Sequence, residues 1–348
     1  MEPGQFNQTN FLFYGLHQEQ FSHAELLNAC HAALHAERLE TAALSVSVVE
    51  ALVASSLFEF HGNGLRFGRN LAFINAALTK QLLVVAGTAA QMYERILRDE
   101  LRSIRNLASS FTVKNLPMEW NETAHLIVAG LIIDLGIRDE LLAQALIVEQ
   151  PDEYWVWAFE CGTGTQNAFG VQLWTNENAQ AVFGQLWHKK LHHRVELKID
   201  GQDVGLLKEI YDRGGIKAGS LSHAEHQRAL KLSFYRLLSV DHAQYVLNVP
   251  VLSGANGKLI CSEVKRIART IFSEAVVPAM SEAQEIFLES GFPQGVFSHA
   301  FARLLLECSI DKTLEAELIP PFPETAENNW AAWLSLGDCI DDLRLRNN

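Results

Sequence analysis

The sequence lacks several features that commonly identify a class of protein. Five of its 348 residues are cysteine, and they stand at separated positions that form no CxxC pair. Scattered thiols argue against a disulfide framework and favour a reducing compartment. The N-terminal stretch MEPGQFNQTNFLFYG has no basic region followed by a long apolar run, so we expect no secretory signal and a cytoplasmic location.

Basic side chains are also scarce. The chain has 28 lysines and arginines against 41 aspartates and glutamates, for a formal net charge of -13. Residues 1–150 carry 10 basic and 16 acidic groups, and residues 151–348 carry 18 and 25. Neither half has the balance of a nucleic-acid-binding domain, so nucleic acid is expected only at local basic patches.

No apolar run predicts a membrane span. Of the three most apolar stretches, 41–60 and 71–92 contain charged residues, and 124–136 is too short for a hydrocarbon layer of roughly 30 Å. Because 48% of the chain is hydrophobic and 20% charged, we interpret these stretches as central helices of a large core.

The pattern that remains predicts a helix-rich α+β protein. Residues 1–150 are expected to form a helical bundle, because helical periodicity runs almost without interruption from Ser22 to about Gln150. Residues 151–319 are expected to form a mixed domain of antiparallel hairpins and covering helices. Residues 320–348 are expected to form a proline-rich linker and a C-terminal docking helix.

Within the mixed domain, aromatic and β-branched residues predict a hairpin over 153–175. Alternation predicts a strand over 193–199 that ends at the hairpin dipeptide Asp200-Gly201. His223 and His226 lie at an expected helix start. The remaining predictions are helices over 177–191, 262–289, 297–308 and 330–346, and a strand pair over 244–252 and 258–261.

Two local basic patches are candidate binding surfaces. The first, in residues 188–198, contains Lys189, Lys190 and Arg194. The second is a helical stripe in which arginines recur at spacings of three, four and three; its members are Arg95, Arg98, Arg102 and Arg105. Arginine offers a planar donor fork to phosphate or carboxylate, so the stripe could bind an acidic surface. The alternative is a surface helix with intrahelical ion pairs.

Glu196 and Lys198 share one face of the predicted strand, with Glu160 as the nearest second acid. This arrangement resembles the metal-dependent nucleases of the PD-(D/E)xK kind. The resemblance implies that the carboxylates hold Mg²⁺ and that the lysine orients the attacking water. The alternative is a solvated strand face with cross-strand ion pairs.

No Walker loop, dinucleotide-binding glycine motif or nucleophile elbow is present. We therefore expect an interaction or regulatory protein without metal or cofactor, acting on a protein partner or a second copy through helical surfaces. These surfaces include the C-terminal helix with Trp330 and Trp333. Two alternatives stay open. The first is a Mg²⁺-dependent nuclease or phosphodiesterase, and the second is a protein that binds a small ligand inside its helical bundle.

Overall fold

The computed structural model describes most of the chain. The described residues are 12–15, 39–40, 45–62, 64–68, 70–114, 116–147, 156–159, 169–188, 197–288, 294–321 and 331–343. In this part of the chain, long helices combine with small sheets that are mainly antiparallel, which confirms the predicted helix-rich α+β class.

The helices account for most of the regular structure that is described. They are α1 (Val46–Ala54), α2 (Ala76–Ala108), α3 (Trp120–His125), α4 (Ile137–Ala143), α5 (Gly201–Asp212), α6 (His223–Phe234), α7 (Gly254–Ile271), α8 (Val277–Leu288), α9 (Gln294–Glu315) and α10 (Asp338–Asp342). Two π-helical segments, Leu126–Gly136 and Phe272–Val276, join α3 to α4 and α7 to α8. The helices predicted over 262–289 and 297–308 are confirmed within the described residues.

The strands are short. They are β1 (Leu12–Gly15), β2 (Leu39–Glu40), β3 (Phe58–His61), β4 (Gly64–Phe67), β5 (Leu71–Ile74), β6 (Thr112–Val113), β7 (Leu116–Pro117), β8 (Val156–Phe159), β9 (Phe169–Thr175), β10 (Ala181–His188), β11 (Ile216–Lys217), β12 (Leu238–Asp241), β13 (Gln244–Leu247), β14 (Val251–Leu252) and β15 (Ala332–Leu336). The larger sheets have the strand orders β1-β8-β5, β14-β15-β10-β9, β11-β13-β12 and β2-β4-β3.

The chain folds into two compact units, each built from several segments. The first comprises Met1–Ala90, Leu142–Thr165 and Ala275–Cys308, and the second comprises Gln91–Leu141, Gln166–Glu274 and Ser309–Asn348. The predicted domain boundary at residue 150 lies outside the described residues, and the division at 150 and 319 stays a prediction.

The π-helical segment Leu126–Gly136 of the second unit is buried along its whole length. Gly136 lies against α7, and a Cβ added there would stand 2.8 Å from the Cβ of Ala268, so glycine permits the close packing of the two helices. Asp134 is also buried, and its carboxylate accepts a hydrogen bond from the Val171 backbone N–H at 2.6 Å.

The helix predicted over 177–191 is wrong in its described part, and the helix predicted over 330–346 is confirmed only at Asp338–Asp342 and is wrong where residues 332–336 form β15. Residues 181–188 form β10, which pairs with β9 on one side and with β15 on the other. All five residues of β15 are buried. A strand covered on both faces shows a continuous apolar run without the alternation of a half-buried strand, and periodicity does not separate such a run from a buried helix.

Four further predictions of local structure are wrong in whole or in their described part. Asp200-Gly201 is a helix start instead of a hairpin turn, because Asp200 caps α5 and its carboxylate accepts a hydrogen bond from the Asp203 backbone N–H at 2.9 Å. Residues 258–261 belong to α7. The strands β8 and β9 do not form the hairpin predicted over 153–175, since β8 pairs with β1 and β5. Of the strand predicted over 193–199, residues 193–196 lie outside the described residues, and 197–199 form no strand.

A distinct apolar cluster of the second unit positions α6. It joins α5 and α6 to the β12–β13 hairpin, and its members include Val204, Leu207, Ile210, Ala229, Leu232, Leu238 and Tyr245. The N-terminus of α6 carries a reciprocal capping box, in which the Ser222 and Glu225 side chains each accept a backbone N–H. The predicted helix start near His223 is confirmed. None of the described helices combines the length and apolarity that crossing a membrane requires.

Candidate functional site

The residues of the predicted nuclease site are not brought together in the part of the chain that the structure describes. Glu160 and Glu196 lie outside the described residues, as do Lys189, Lys190 and Arg194 of the first basic patch. Lys198 is exposed, and its backbone N–H donates to the Tyr235 hydroxyl at 3.4 Å. The described residues contain no group of three His, Cys, Asp or Glu side chains placed to hold a metal. The nuclease site stays a prediction.

The arginine stripe lies on α2, where most of its members have partners in this chain. Arg98 pairs with Glu94 one turn earlier, and Arg95 stands 3.7 Å from Glu274. The Arg105 guanidinium lies over the Trp120 ring, 5.7 Å from its centroid. These contacts use the stripe mainly within the molecule, and they leave Arg102 as an exposed cation.

Of the two tryptophans of the predicted docking helix, the structure describes only Trp333. Trp330 lies outside the described residues. Trp333 is on β15 and has 0% exposure, and its indole N–H donates to the Ser335 hydroxyl at 3.1 Å. A fully buried side chain has no surface to offer to a partner, so Trp333 acts in the core of the second unit.

The structure instead exposes one face of α6. Along this face His223, Gln227, Leu230 and Phe234 recur at spacings of four, three and four, and all four are exposed. We call these residues the α6 stripe. Phe234 is 82% exposed and Leu230 is 46% exposed, one turn apart on the same face. Such spacing is typical of the seam that one helix presents to another.

A buried carboxylate holds the side of α6 that adjoins the α6 stripe. Asp203 on α5 has a fully buried side chain, and it accepts hydrogen bonds from the Arg228 guanidinium at 3.0 Å and from the Lys231 ammonium. Arg228 also reaches both carboxylate oxygens of Asp200 at 2.9 Å. Two cations of α6 are therefore held by two acids at the start of α5, which sets the orientation of the α6 stripe.

These charges shift the pKa of the surrounding groups. Burial is the largest single influence on Asp200 and would raise its pKa, but the hydrogen bonds from Arg228 and the Asp203 backbone, together with the positive charges of Arg228 and Lys231, outweigh burial and lower the pKa. The same hydrogen bond raises the pKa of Arg228. Next to this network, His226 and Tyr245 are in edge contact with ring centroids 5.9 Å apart, which packs α6 against the hairpin.

Exposed cations lie near the α6 stripe. Residues 213–242 contain five lysines and arginines and two acids, Glu225 and Asp241. Three of these cations are paired with acids outside the range, since Arg213 pairs with Glu209, and Arg228 and Lys231 pair with Asp203. Arg236 is exposed two residues beyond Phe234, and Lys198 is next to Tyr235. The site therefore combines an apolar centre with positive side chains near the end of the helix.

The first unit contains a small cavity of about 130 Å³. Its lining is mainly apolar and includes the rings of Phe287 and Phe297, which stack with centroids 4.2 Å apart, and the polar side chains of Gln284 and Ser298. Sites for drug-sized ligands have volumes of about 300–1,000 Å³. The cavity has room for a molecule no larger than a single aromatic ring.

The sequence carried a partial signal for the α6 stripe. The capping box and the two histidines indicate the helix start, but Leu230 and Phe234 alone do not show which apolar residues of the helix stay outside the core. Comparisons with known proteins add nothing to this surface, since no family model, curated protein or solved structure matches the chain.

Proposed function

We propose that this chain is a cytoplasmic interaction or regulatory protein whose α6 stripe binds an amphipathic, acidic helix of a partner protein. The observation that carries the proposal is Phe234, which is 82% exposed on a helix that a buried ion network holds along the adjoining side. An exposed aromatic side chain on a rigid support is the usual anchor of a protein interface.

The apolar centre favours a helix as the bound element. Leu230 and Phe234 stand one helical turn apart, and the stripe continues to His223 with the spacing of a helix seam. An amphipathic helix places its own apolar side chains at the matching spacing. Burying a side chain such as phenylalanine contributes about 1.5–3 kcal/mol, which is enough to dominate a small interface.

The charge favours an acidic partner. Lys198 and Arg236 are exposed cations near the end of α6, within a chain of net charge -13. A second copy of this strongly acidic chain would be repelled at long range, whereas an isolated acidic helix would be attracted to this region. Nucleic acid is a poorer match, since the centre of the surface is apolar and lacks a row of cations.

Two synthetic peptides of about three heptads test the proposal. Both have leucine at the a and d positions; one has glutamate at e and g, and the other has lysine. We expect the glutamate peptide to bind the full-length protein at least about tenfold more tightly in fluorescence anisotropy. Phe234→Ala should weaken its binding about 30-fold, which corresponds to the 2 kcal/mol typical of an anchor residue.

Phe60→Ala is the matched control, because Phe60 is 64% exposed on β3 of the first unit and lies outside the surface. This variant should bind the glutamate peptide like the wild type. Unchanged binding by Phe234→Ala would refute the proposal, and so would preferential binding of duplex DNA. A dimer in light scattering that Phe234→Ala dissociates would assign the surface to a second copy and overturn the acidic partner.

The two alternatives have less support. The nuclease alternative depends on Glu160 and Glu196, which lie outside the described residues. A bound Mg²⁺ is expected only under this alternative. The small-ligand alternative has the cavity of about 130 Å³ in the first unit, whose size restricts its ligand to a single ring. We therefore keep protein interaction as the proposed function.

A further inference from the structure

The C-terminal helix α10 is attached to α7 by two ion pairs. Lys258 lies 2.5 Å from Asp338, and Lys265 lies 3.7 Å from Asp342. All four residues belong to the second unit. Lys258 and Lys265 are seven residues apart and therefore lie on the same face of α7. The ion pairs place the two helices side by side, with the start of α10 near the start of α7.

Two thiols meet between these ion pairs. Cys261 lies on α7 between the two lysines, and Cys339 lies on α10 between the two aspartates. Each is 1% exposed, and the Cys339 sulfur lies against Gly257, one helical turn before Cys261. Gly257 makes the contact sterically possible, because a Cβ added at this position would stand 2.6 Å from the Cys339 sulfur.

The two thiols are electrostatically unequal. Hydrogen bonding with Cys261 lowers the pKa of Cys339, against the effect of burial. The same interaction, together with burial, raises the pKa of Cys261. The Lys258 ammonium also lowers the pKa of Cys339, while Asp342 and Asp338 raise it. Cys339 is thus the sulfur that more readily becomes a thiolate, which is the nucleophilic form of cysteine.

We propose that Cys261 and Cys339 are a redox modification site that a peroxide converts into a reversible intrachain disulfide. The Cys339 thiolate attacks one peroxide oxygen, the O–O bond breaks, and Cys339 becomes a sulfenic acid while hydroxide takes up a proton. The Cys261 sulfur then attacks the Cys339 sulfur, loses its proton and displaces the hydroxyl group as water. In sum, two thiols and hydrogen peroxide give one disulfide and two waters. A dithiol reductant reverses the modification.

The disulfide would act on the C-terminal part of the second unit. Cys339 follows β15, which lies inside a four-stranded sheet between β14 and β10. The bond would join positions 261 and 339, which are 78 positions apart in the chain, and would close a long loop. Closing a long loop restricts the unfolded chain, so oxidation should hold β15 and α10 more firmly in the sheet.

The test uses the full-length protein, with hydrogen peroxide as oxidant, alkylation of the remaining thiols and tryptic mass spectrometry. The disulfide would link the peptide 259–265 to the peptide 313–344. We expect this species in the oxidised wild type, and we expect dithiothreitol to remove it. Cys261→Ser and Cys339→Ser should each abolish it. Cys308→Ser is the matched control, since Cys308 lies in a separate peptide, 304–312, and its loss should leave the linked species unchanged.

A second measurement needs no variant and so does not depend on the folding of a serine substitution. Hydrogen exchange of residues 331–343 in the wild type should slow after peroxide treatment and return to its first rate after reduction. The proposal is overturned if peroxide drives Cys339 to sulfinic or sulfonic acid without the linked peptide. It is equally overturned if Cys261 pairs with a different cysteine, or if exchange in 331–343 is the same in both redox states.

Discussion

The buried carboxylate of Asp203 leads to the most quantitative prediction. It accepts hydrogen bonds from Arg228 and Lys231 of α6, and it also accepts the Asp200 backbone N–H at 3.0 Å. Asp203→Ala removes all three interactions at once. The substitution leaves two cations without their shared anion and α5 without the second half of its capping box.

The expected cost follows from the burial of each partner. Removing one member of a buried ion pair typically costs about 3–5 kcal/mol. Here the Arg228 and Lys231 side chains are 27% and 33% exposed, so water solvates them in part after the substitution. The lower end of the range applies, and we expect Asp203→Ala to destabilise this region by about 3 kcal/mol. Asp203→Asn keeps the shape and one acceptor, and it should cost about 2 kcal/mol.

Hydrogen exchange across residues 201–234 is the appropriate measurement, because it reports the opening free energy of α5 and α6 separately from the rest of the chain. Asp212→Ala is the control. Asp212 pairs with Lys208 on the exposed side of the same helix, and an exposed pair of this kind contributes less than about 0.5 kcal/mol. If Asp203→Ala costs no more than Asp212→Ala, the buried network does not hold α6 in place.

Two further substitutions test the interior of the second unit. A Cβ at Gly184 would stand 2.3 Å from the ring of Trp333, which is fully buried and has no room to move. Gly184→Ala should therefore lower the free energy of unfolding by about 2–3 kcal/mol, as measured by calorimetry. Gly205→Ala is the control and should not lower the free energy of unfolding, because nothing lies within 4 Å of a Cβ at this position. Equal destabilisation by the two substitutions would contradict the packing argument. Burial lowers the pKa of His125 in the folded protein to about 4, whereas the pKa of this histidine in the unfolded chain is about 6.5. Between these two pH values the unfolded chain therefore binds a proton at His125 that the folded protein does not. Urea unfolding should therefore show about 3 kcal/mol of stability lost as the pH falls from about 6.5 to 4, and a profile unchanged by His125→Gln would contradict this.

The long helices follow from local sequence patterns. Helical periodicity predicts 262–289, and the structure has helix from Gly254 to Leu288. The start of α6 is predicted equally well, because a capping box requires only residues that are close in sequence. The helix-rich α+β class follows from the same local rules.

The sheet at the centre of the second unit does not follow from local patterns. Residues 181–184 of β10 and all of β15 are buried, so these stretches are mainly apolar without alternation. Their state depends on partners that are about 150 positions away in the chain. For this reason Trp333, expected on a docking helix, lies in the core.

The sequence by itself determined the helix-rich α+β class and the acidic balance of both halves. Only the tertiary structure decided which apolar residues stay exposed, since Leu230 and Leu232 are chemically alike and differ only in what packs against them. Likewise, the spacing of the cysteines indicates isolated thiols, while the docking of α10 on α7 brings Cys261 and Cys339 together. Burial and contact between distant residues are set by the packing of whole elements, which is a property that no short stretch of sequence contains.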